Sequence, residues 1–231
     1  PGYLILRHPR TPIQMLPPQP FFCDTDWLMR TETLDLGHQA LLRERLRAVE
    51  PPLSEYSFAN LYLFRKDHRY EVLIDRDELF IRGQARDGGT YVMPTSDVRD
   101  TDPDLLSRIA ADARYLFPIP DQWLSAFPEE SYDRTFKEGE SDYLYLTEKI
   151  ATFAGKRLHK KRNLLNFFLK HYVHDAEPLT PDRVPDALTI LEAWQTESGQ
   201  RVDQTDYEPA KEALEKMEEL VLCGGIWYAE G

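Results

Sequence analysis

The run SDYLYLTEKIATFAGKRLHKKRNLLNFFLKHY, residues 141–172, changes character at Gly155. Up to that glycine it reads as an extended DYLYL step and a short helix, TEKIATFA, with Thr147 as its cap and Gly155 as the residue just past its end. From Gly155 to Tyr172 it becomes a helical pattern that holds six Lys and Arg residues and no acid. The chain as a whole has a formal net charge of -12, so removing this +6 island leaves -18 for the remainder. The fold reading rests on this run, because it marks where one half of the chain gives way to another.

The surrounding composition limits what the island can serve. With 231 residues, 42% of them hydrophobic, the chain suffices for one large domain or two small ones with buried cores. An acidic balance of this size excludes general affinity for nucleic acid, and any polyanion must be met locally. Cys23 and Cys223 have no CxxC or Cys/His spacing, which predicts neither a disulfide framework nor a zinc site. No run approaches the roughly 18 apolar residues of a membrane span, and the start lacks the pattern of a signal peptide. A soluble protein of the reducing cytoplasm is the expectation. The chain opens at Pro1 and closes on GGIWYAEG, which reads as a strand just beginning, so the last element is expected to be incomplete.

Outward from residues 141–172, the chain divides into four stretches. Residues 1–30 are a Pro-rich arm, with Pro9, Pro12, Pro17, Pro18 and Pro20 opposing regular helix or central strand. Residues 31–128 form a first half. Leu41, Leu42, Leu46 and Val49 recur at helical spacing until Pro51 and Pro52 stop them. YEVLID, ELFIRG and GTYVMP follow as an antiparallel meander, then a helix at PDLLSRIAADARY and a further short helix after Pro118 and Pro120. Residues 129–142 are an acid-rich connection. Residues 143–231 open a second half, with helices at PDALTILEAWQTESG and YEPAKEALEKMEELVLCGG; in the latter Leu214, Met217, Val221 and Leu222 make the stripe and Gly224-Gly225 the stop. The order of elements is that of an α+β protein.

At 100° per residue, Leu158, Leu165, Phe168, Leu169 and Tyr172 share one arc of the basic helix, its expected buried face. Lys156, His159, Lys160 and Lys170 lie opposite, while Lys161 falls inside the apolar arc and Arg162 on its edge. Cations crowded at a helix N-terminus oppose the macrodipole and cost a few tenths of a kcal/mol each. A phosphate at that end would reverse the cost. Two readings therefore stand: an anion site, or a solvated basic face paired with acids from 129 to 148. His171, His174 and Asp175 have a loose HxxHD spacing that no further carboxylate or Cys completes as a metal site. His159 has no neighbouring nucleophile or orienting acid in sequence. The pairs Gly88-Gly89 and Gly224-Gly225 belong to neither GxGxxG nor GxxxxGK[ST], and GxSxG, HExxH and DxDxDG are missing.

SEYSFANLYLFR (54–65), FPIPDQWLSAF (117–127), the run at 141–172 and the approach to GGIWYAEG together resemble a bacterial family related to the C-terminal domain of phosphatidylglycerol lysyltransferases. The third block carries most of the resemblance, through Asp142-Tyr143-Leu144-Tyr145, Gly155-Lys156 and His159-Lys160-Lys161-Arg162-Asn163. The resemblance implies a mixed sheet flanked by helices, built as two acetyltransferase-like (GNAT) halves, the second truncated at residue 231. It also implies transfer of an aminoacyl or acyl group, as in Fem-type enzymes, from an aminoacyl-tRNA or acyl-CoA co-substrate to an amine or a lipid headgroup hydroxyl, with no metal and no covalently bound cofactor. Lys156, Arg157, His159, Lys160, Lys161, Arg162 and Asn163 are then the candidate set for the donor's phosphates, and no residue is assigned as catalyst. The alternative is a binding or regulatory module that keeps the fold and recognises a phosphate-containing ligand without transferring anything.

Overall fold

The computed structural model describes residues 4–7, 29–50, 53–130, 132–136, 138 and 142–229. The chain divides into two compact units, Pro1–Asp142 and Tyr143–Gly231. The five prolines of the arm and Cys23 lie outside the described residues.

The first unit is a mixed sheet with helices. Its strands are β1 (Leu4–Arg7), β2 (Arg30–Thr33), β3 (Glu71–Asp75), β4 (Glu78–Gln84), β5 (Thr90–Pro94), β6 (Tyr115–Ile119) and β7 (Asp133–Phe136). They lie in the order β2-β3-β4-β5-β6-β1-β7. The meander is present as the pattern requires, with Leu73 opposite Phe80 and Val92 opposite Arg82. The hairpin at 86–89 turns through Gly88, whose φ of +81° suits glycine. Val72, Leu73, Phe80, Ile81, Val92 and Met93 are all buried although they alternate between faces. Both faces of the central strands are thus covered, which is why these runs are continuously apolar.

One pair breaks the antiparallel pattern. β5 and β6 run parallel, with Tyr91 opposite Tyr115 and Val92 opposite Leu116. A parallel neighbour requires a crossover, and α4 (Pro103–Ala111) supplies it. Pro103 stands at the start of α4, and the Asp102 carboxylate accepts from the Asp104 N–H at 3.0 Å, so cap and proline together fix where it begins. Leu105, Leu106 and Ile109 supply its buried face. α1 (Gln39–Arg47) buries Leu42 and Leu46 but leaves Leu41 exposed, and α2 (Phe58–Leu63) with α3 (Arg65–His68) follows.

Several expectations change here. The arm contributes β1, which sits between β6 and β7, because its residues Leu4–Arg7 precede the prolines. The acid-rich connection contains β7, paired with β1 through Arg134 and Thr135. The segment after Pro120 is a 3₁₀ turn, Asp121–Ala126, rather than an α-helix, and it buries Trp123.

An aromatic group closes one end of this core. Tyr70 and Tyr91 share a hydroxyl–hydroxyl bond of 3.0 Å, and Tyr91 Oη lies 3.1 Å from His68 Nδ1. Burial raises the Tyr70 pKa to about 12 and that of Tyr91 further, and it lowers that of His68. Gly83 makes room for both tyrosines: a Cβ there would lie 2.6 Å from Tyr91 Cζ and 2.8 Å from Tyr70 Cε1. Gly83→Ala is therefore expected to destabilise the protein by about 1–3 kcal/mol in denaturant unfolding. Because the folded state depresses the His68 pKa, its contribution is present above the unfolded value near 6.5 and is lost as pH falls through the folded value. Melting temperature should fall on acidification from pH 7.5 to 5.5, and His68→Phe should flatten part of that fall.

The second unit contains α5 (Thr147–Thr152), α6 (His159–His171), β8 (His174–Pro178), α7 (Val184–Ser198), α8 (Tyr207–Glu215) and β9 (Gly225–Ala229). β8 and β9 pair antiparallel, with Ala176 opposite Trp227. α8 stops before the expected stripe is complete. Residues after it form hydrogen-bonded turns that bury Leu220 and place Val221 at φ +55° with its side chain exposed. Gly225 belongs to β9 rather than to a helix stop. Leu179, Leu191, Trp194, Leu214, Met217 and Trp227 line an apolar concavity of about 620 Å³ within this unit.

Candidate functional site

The site residues singled out in sequence fall on one continuous stretch. Lys156 and Arg157 lie in a 3₁₀ turn, Lys156–Leu158, that leads into α6, and His159, Lys160, Lys161, Arg162 and Asn163 form the first turn and a half of that helix. The local geometry differs from the sequence reading in its details. DYLYL takes no regular strand conformation, and Leu146 rather than Thr147 precedes α5. α5 ends at Phe153, in the left-handed region at φ +46°, two residues before the expected glycine. Gly155, at φ +94°, instead redirects the chain into the 3₁₀ turn.

Arg162 explains why the arrangement holds. Its Nη1 donates to the Phe153 carbonyl at 2.8 Å, satisfying an acceptor that the end of α5 leaves open. Arg162 is half-buried, as are Leu158, Leu165 and Phe168, and these four define the inner seam of α6. Lys161 is exposed, contrary to its placement inside the apolar arc, and Leu169 and Tyr172 are 42% and 44% exposed rather than buried. No residue of α6 is fully buried, because the seam runs along 158, 162, 165 and 168 and stops there.

The charge on this turn is uncompensated locally. Among the described residues 143–229, no acid lies within 4 Å of Lys156, Arg157, Lys160, Lys161, Arg162 or Lys170. Leu158, at the N-cap of α6, offers no side-chain cap, and no acid occupies the first turn. The start of α6 thus has no side-chain cap, and Lys156, Arg157, Lys160 and Lys161 are exposed on the adjoining turns, at the positive end of the helix dipole. His159 and Asn163 are exposed beside them.

The histidines of the loose HxxHD spacing have other duties. His171 stacks on Phe167 at 4.1 Å and donates from Nδ1 to the Phe167 carbonyl at 2.8 Å. His174 stacks on Trp227 at 5.7 Å, in a cluster that Phe168 also joins. Among the described residues no group of three or more His, Cys, Asp or Glu side chains is arranged to hold a metal. No described helix is long and apolar enough to cross a membrane.

These features define a mixed α+β chain with a basic, uncapped helix start in its second unit. The family model for the C-terminal domain of phosphatidylglycerol lysyltransferase matches residues 46–231, and the chain belongs to that family. A crystal structure of a conserved protein of unknown function from Bacteroides thetaiotaomicron superimposes with a TM-score of 0.73 at 22% identity, covering 88% of this chain and 73% of that one. That likeness concerns the fold. An uncharacterized protein of Mycoplasmoides gallisepticum is 55% identical over 40 residues, 17% of this chain, and the chain spans 13% of that protein's length.

The geometry separates structural from free cations. Arg162→Met should lower stability by about 1 kcal/mol through loss of the Phe153 bond. Lys160→Ala, on an exposed side chain with no partner among the described residues, should change it by less than about 0.5 kcal/mol. Urea unfolding of the two variants checks both.

Proposed function

We propose that this chain belongs to an acyl- or aminoacyltransferase of the GNAT/Fem type, with the start of α6 receiving the phosphates of a tRNA or CoA donor. The observation that carries this reading is that exposed cations, and no acid, gather at the uncapped start of α6. In the first unit the carboxylates of Asp97 and Asp102 occupy the backbone N–H groups at the entry to α4, accepting from Arg99 N and Asp104 N at 3.0 Å. Those donors are taken, and a phosphate approaching them would meet acids. At α6 the donors have no side-chain cap and the surrounding charges are cationic. An anion there satisfies N–H groups, dipole and side chains at once.

The acetyltransferase-like reading draws support from topology. In the first unit β2 is followed by α1, α2 with α3, and an antiparallel β3; the parallel β5–β6 pair with its α4 crossover comes later. In the second unit two antiparallel strands, β8 and β9, likewise flank a helical stretch, here α7 and α8. This likeness supports reading the chain as two halves of one kind.

In such a transfer an amine or hydroxyl attacks the ester or thioester carbonyl of the donor, a tetrahedral oxyanion forms, and the tRNA hydroxyl or CoA thiol departs as the acceptor loses its proton. The share assigned to Lys156, Arg157, Lys160 and Lys161 is to hold and orient the donor so that this attack is effectively unimolecular. An amine or a lipid headgroup hydroxyl is the acceptor in this reading.

Lys160→Glu combined with Lys161→Glu should abolish retention on immobilised tRNA or CoA while leaving thermal unfolding nearly unchanged. The slope of log affinity against log salt for tRNA should fall by about one for each cation removed. Retention of the double variant at wild-type strength would refute the proposal, and saturable binding without transfer from any acyl donor would favour a regulatory module instead.

A further inference from the structure

The apolar concavity of the second unit has a charged neighbour. The larger of the two, about 620 Å³, lies within the size range of small-molecule sites, roughly 300–1,000 Å³, and no Asp, Glu, Lys, Arg or His side chain lines it. Trp194, Trp227 and Ile190 in its wall are 47%, 54% and 57% exposed, so large apolar side chains stand in water there. The smaller concavity, about 370 Å³, adjoins it: Leu179, Leu214, Met217 and Leu222 line both.

The smaller concavity supplies the charge that the larger lacks. Glu215, Glu218 and Glu219 line it with Lys216 as the cation, and Lys216 Nζ already lies 3.1 Å from Glu219 Oε2. Glu215 and Glu218 are exposed, and their carboxylates have no hydrogen-bond or ion-pair partner among the described residues. Helix formation does not call for them, since Glu215 is the last residue of α8, where an acid opposes the macrodipole. Ordinary surface acids need no apolar wall beside them, whereas here the wall and the acids meet along four shared residues. One of these is Met217, whose unbranched, adaptable side chain can reshape around a chain passing from one concavity to the other.

We propose that the two adjoining concavities bind a cationic amphiphile, an aliphatic chain with a primary ammonium head, the chain lying in the larger and the ammonium meeting Glu215 and Glu218 in the smaller. An ammonium brings three N–H donors and a positive charge to the two carboxylates. A neutral apolar molecule leaves both carboxylates unanswered, and an anion is repelled by them. Chain and head thus select together, the chain by burial against Trp194 and Trp227 and the head by charge.

This site shares no residue with the start of α6 and does not rest on the transferase reading. Decylammonium, decanol and decanoate, each below its critical micelle concentration, are titrated into the full chain at low salt, with binding read by calorimetry and tryptophan fluorescence. Decylammonium should bind saturably and about tenfold or more tighter than decanoate. Glu215→Gln combined with Glu218→Gln removes only two of the 40 Asp and Glu residues, so the chain stays strongly acidic. The double substitution should nonetheless erase the preference for the ammonium, leave decanol binding unchanged and, because both side chains are exposed, leave thermal unfolding nearly unchanged. Trp194→Ala, which shortens the apolar wall, should weaken all three ligands by a similar factor. Equal affinity for decylammonium and decanoate, a preference that survives the double substitution, or no saturable uptake would overturn the proposal. A concentration-dependent dimer in sedimentation that Trp194→Ala dissolves and decylammonium does not would assign the wall to a second copy of the chain and overturn it as well.

Discussion

The bond from Arg162 to the Phe153 carbonyl, 2.8 Å long, joins the end of α5 to the second turn's start in α6. The second unit's basic run begins at the reversal that this bond closes. A left-handed Phe153 and a positive-φ Gly155 let the chain reverse over a few residues, and Arg162 closes that reversal from the far side. One arginine of the basic run is thereby spent on structure. Lys156, Arg157, Lys160 and Lys161 are left exposed on two adjoining turns whose backbone geometry they do not themselves stabilise. A solvated basic face would lose little by dispersing such charges, and repulsion among them would favour dispersal.

Among the described residues, acids cap helical turns through their side chains in the first unit and not in the second. In the first, acids sit where theory favours them: Asp35 accepts from Gly37 N at 2.9 Å, Asp97 caps the turn before α4, and Asp102 caps α4 itself. The sheet beneath is covered on both faces, and the aromatic group around Gly83 fills one end to the point that a single methyl has no space. The second unit buries only Pro209, Leu220 and Ile226 among its described residues and displays Tyr143, Leu164, Phe167 and Trp227.

How much of this was legible in the sequence follows from which interactions are local. The meander and α1 were legible because burial writes apolar runs and helical spacing into the chain. β2 was missed because Arg30-Thr31-Glu32-Thr33 is a polar edge strand that pairs through its backbone, and β1 and β7 are four residues each. The charge island was legible and so was its helix, yet the seam was misjudged: an ideal 100° projection put Lys161 inward, whereas the hydrogen bond to Phe153 turns Arg162 inward instead. That carbonyl partner has no sequence signature.

Hydrogen–deuterium exchange of the backbone amides from Lys156 to Arg162, with and without tRNA or CoA, tests the central claim most directly. The account predicts that the uncapped N–H groups at the start of α6 exchange quickly in the free protein and become protected when the phosphate-bearing ligand is added. Exchange in this turn that stays unchanged while the ligand is demonstrably bound would contradict it.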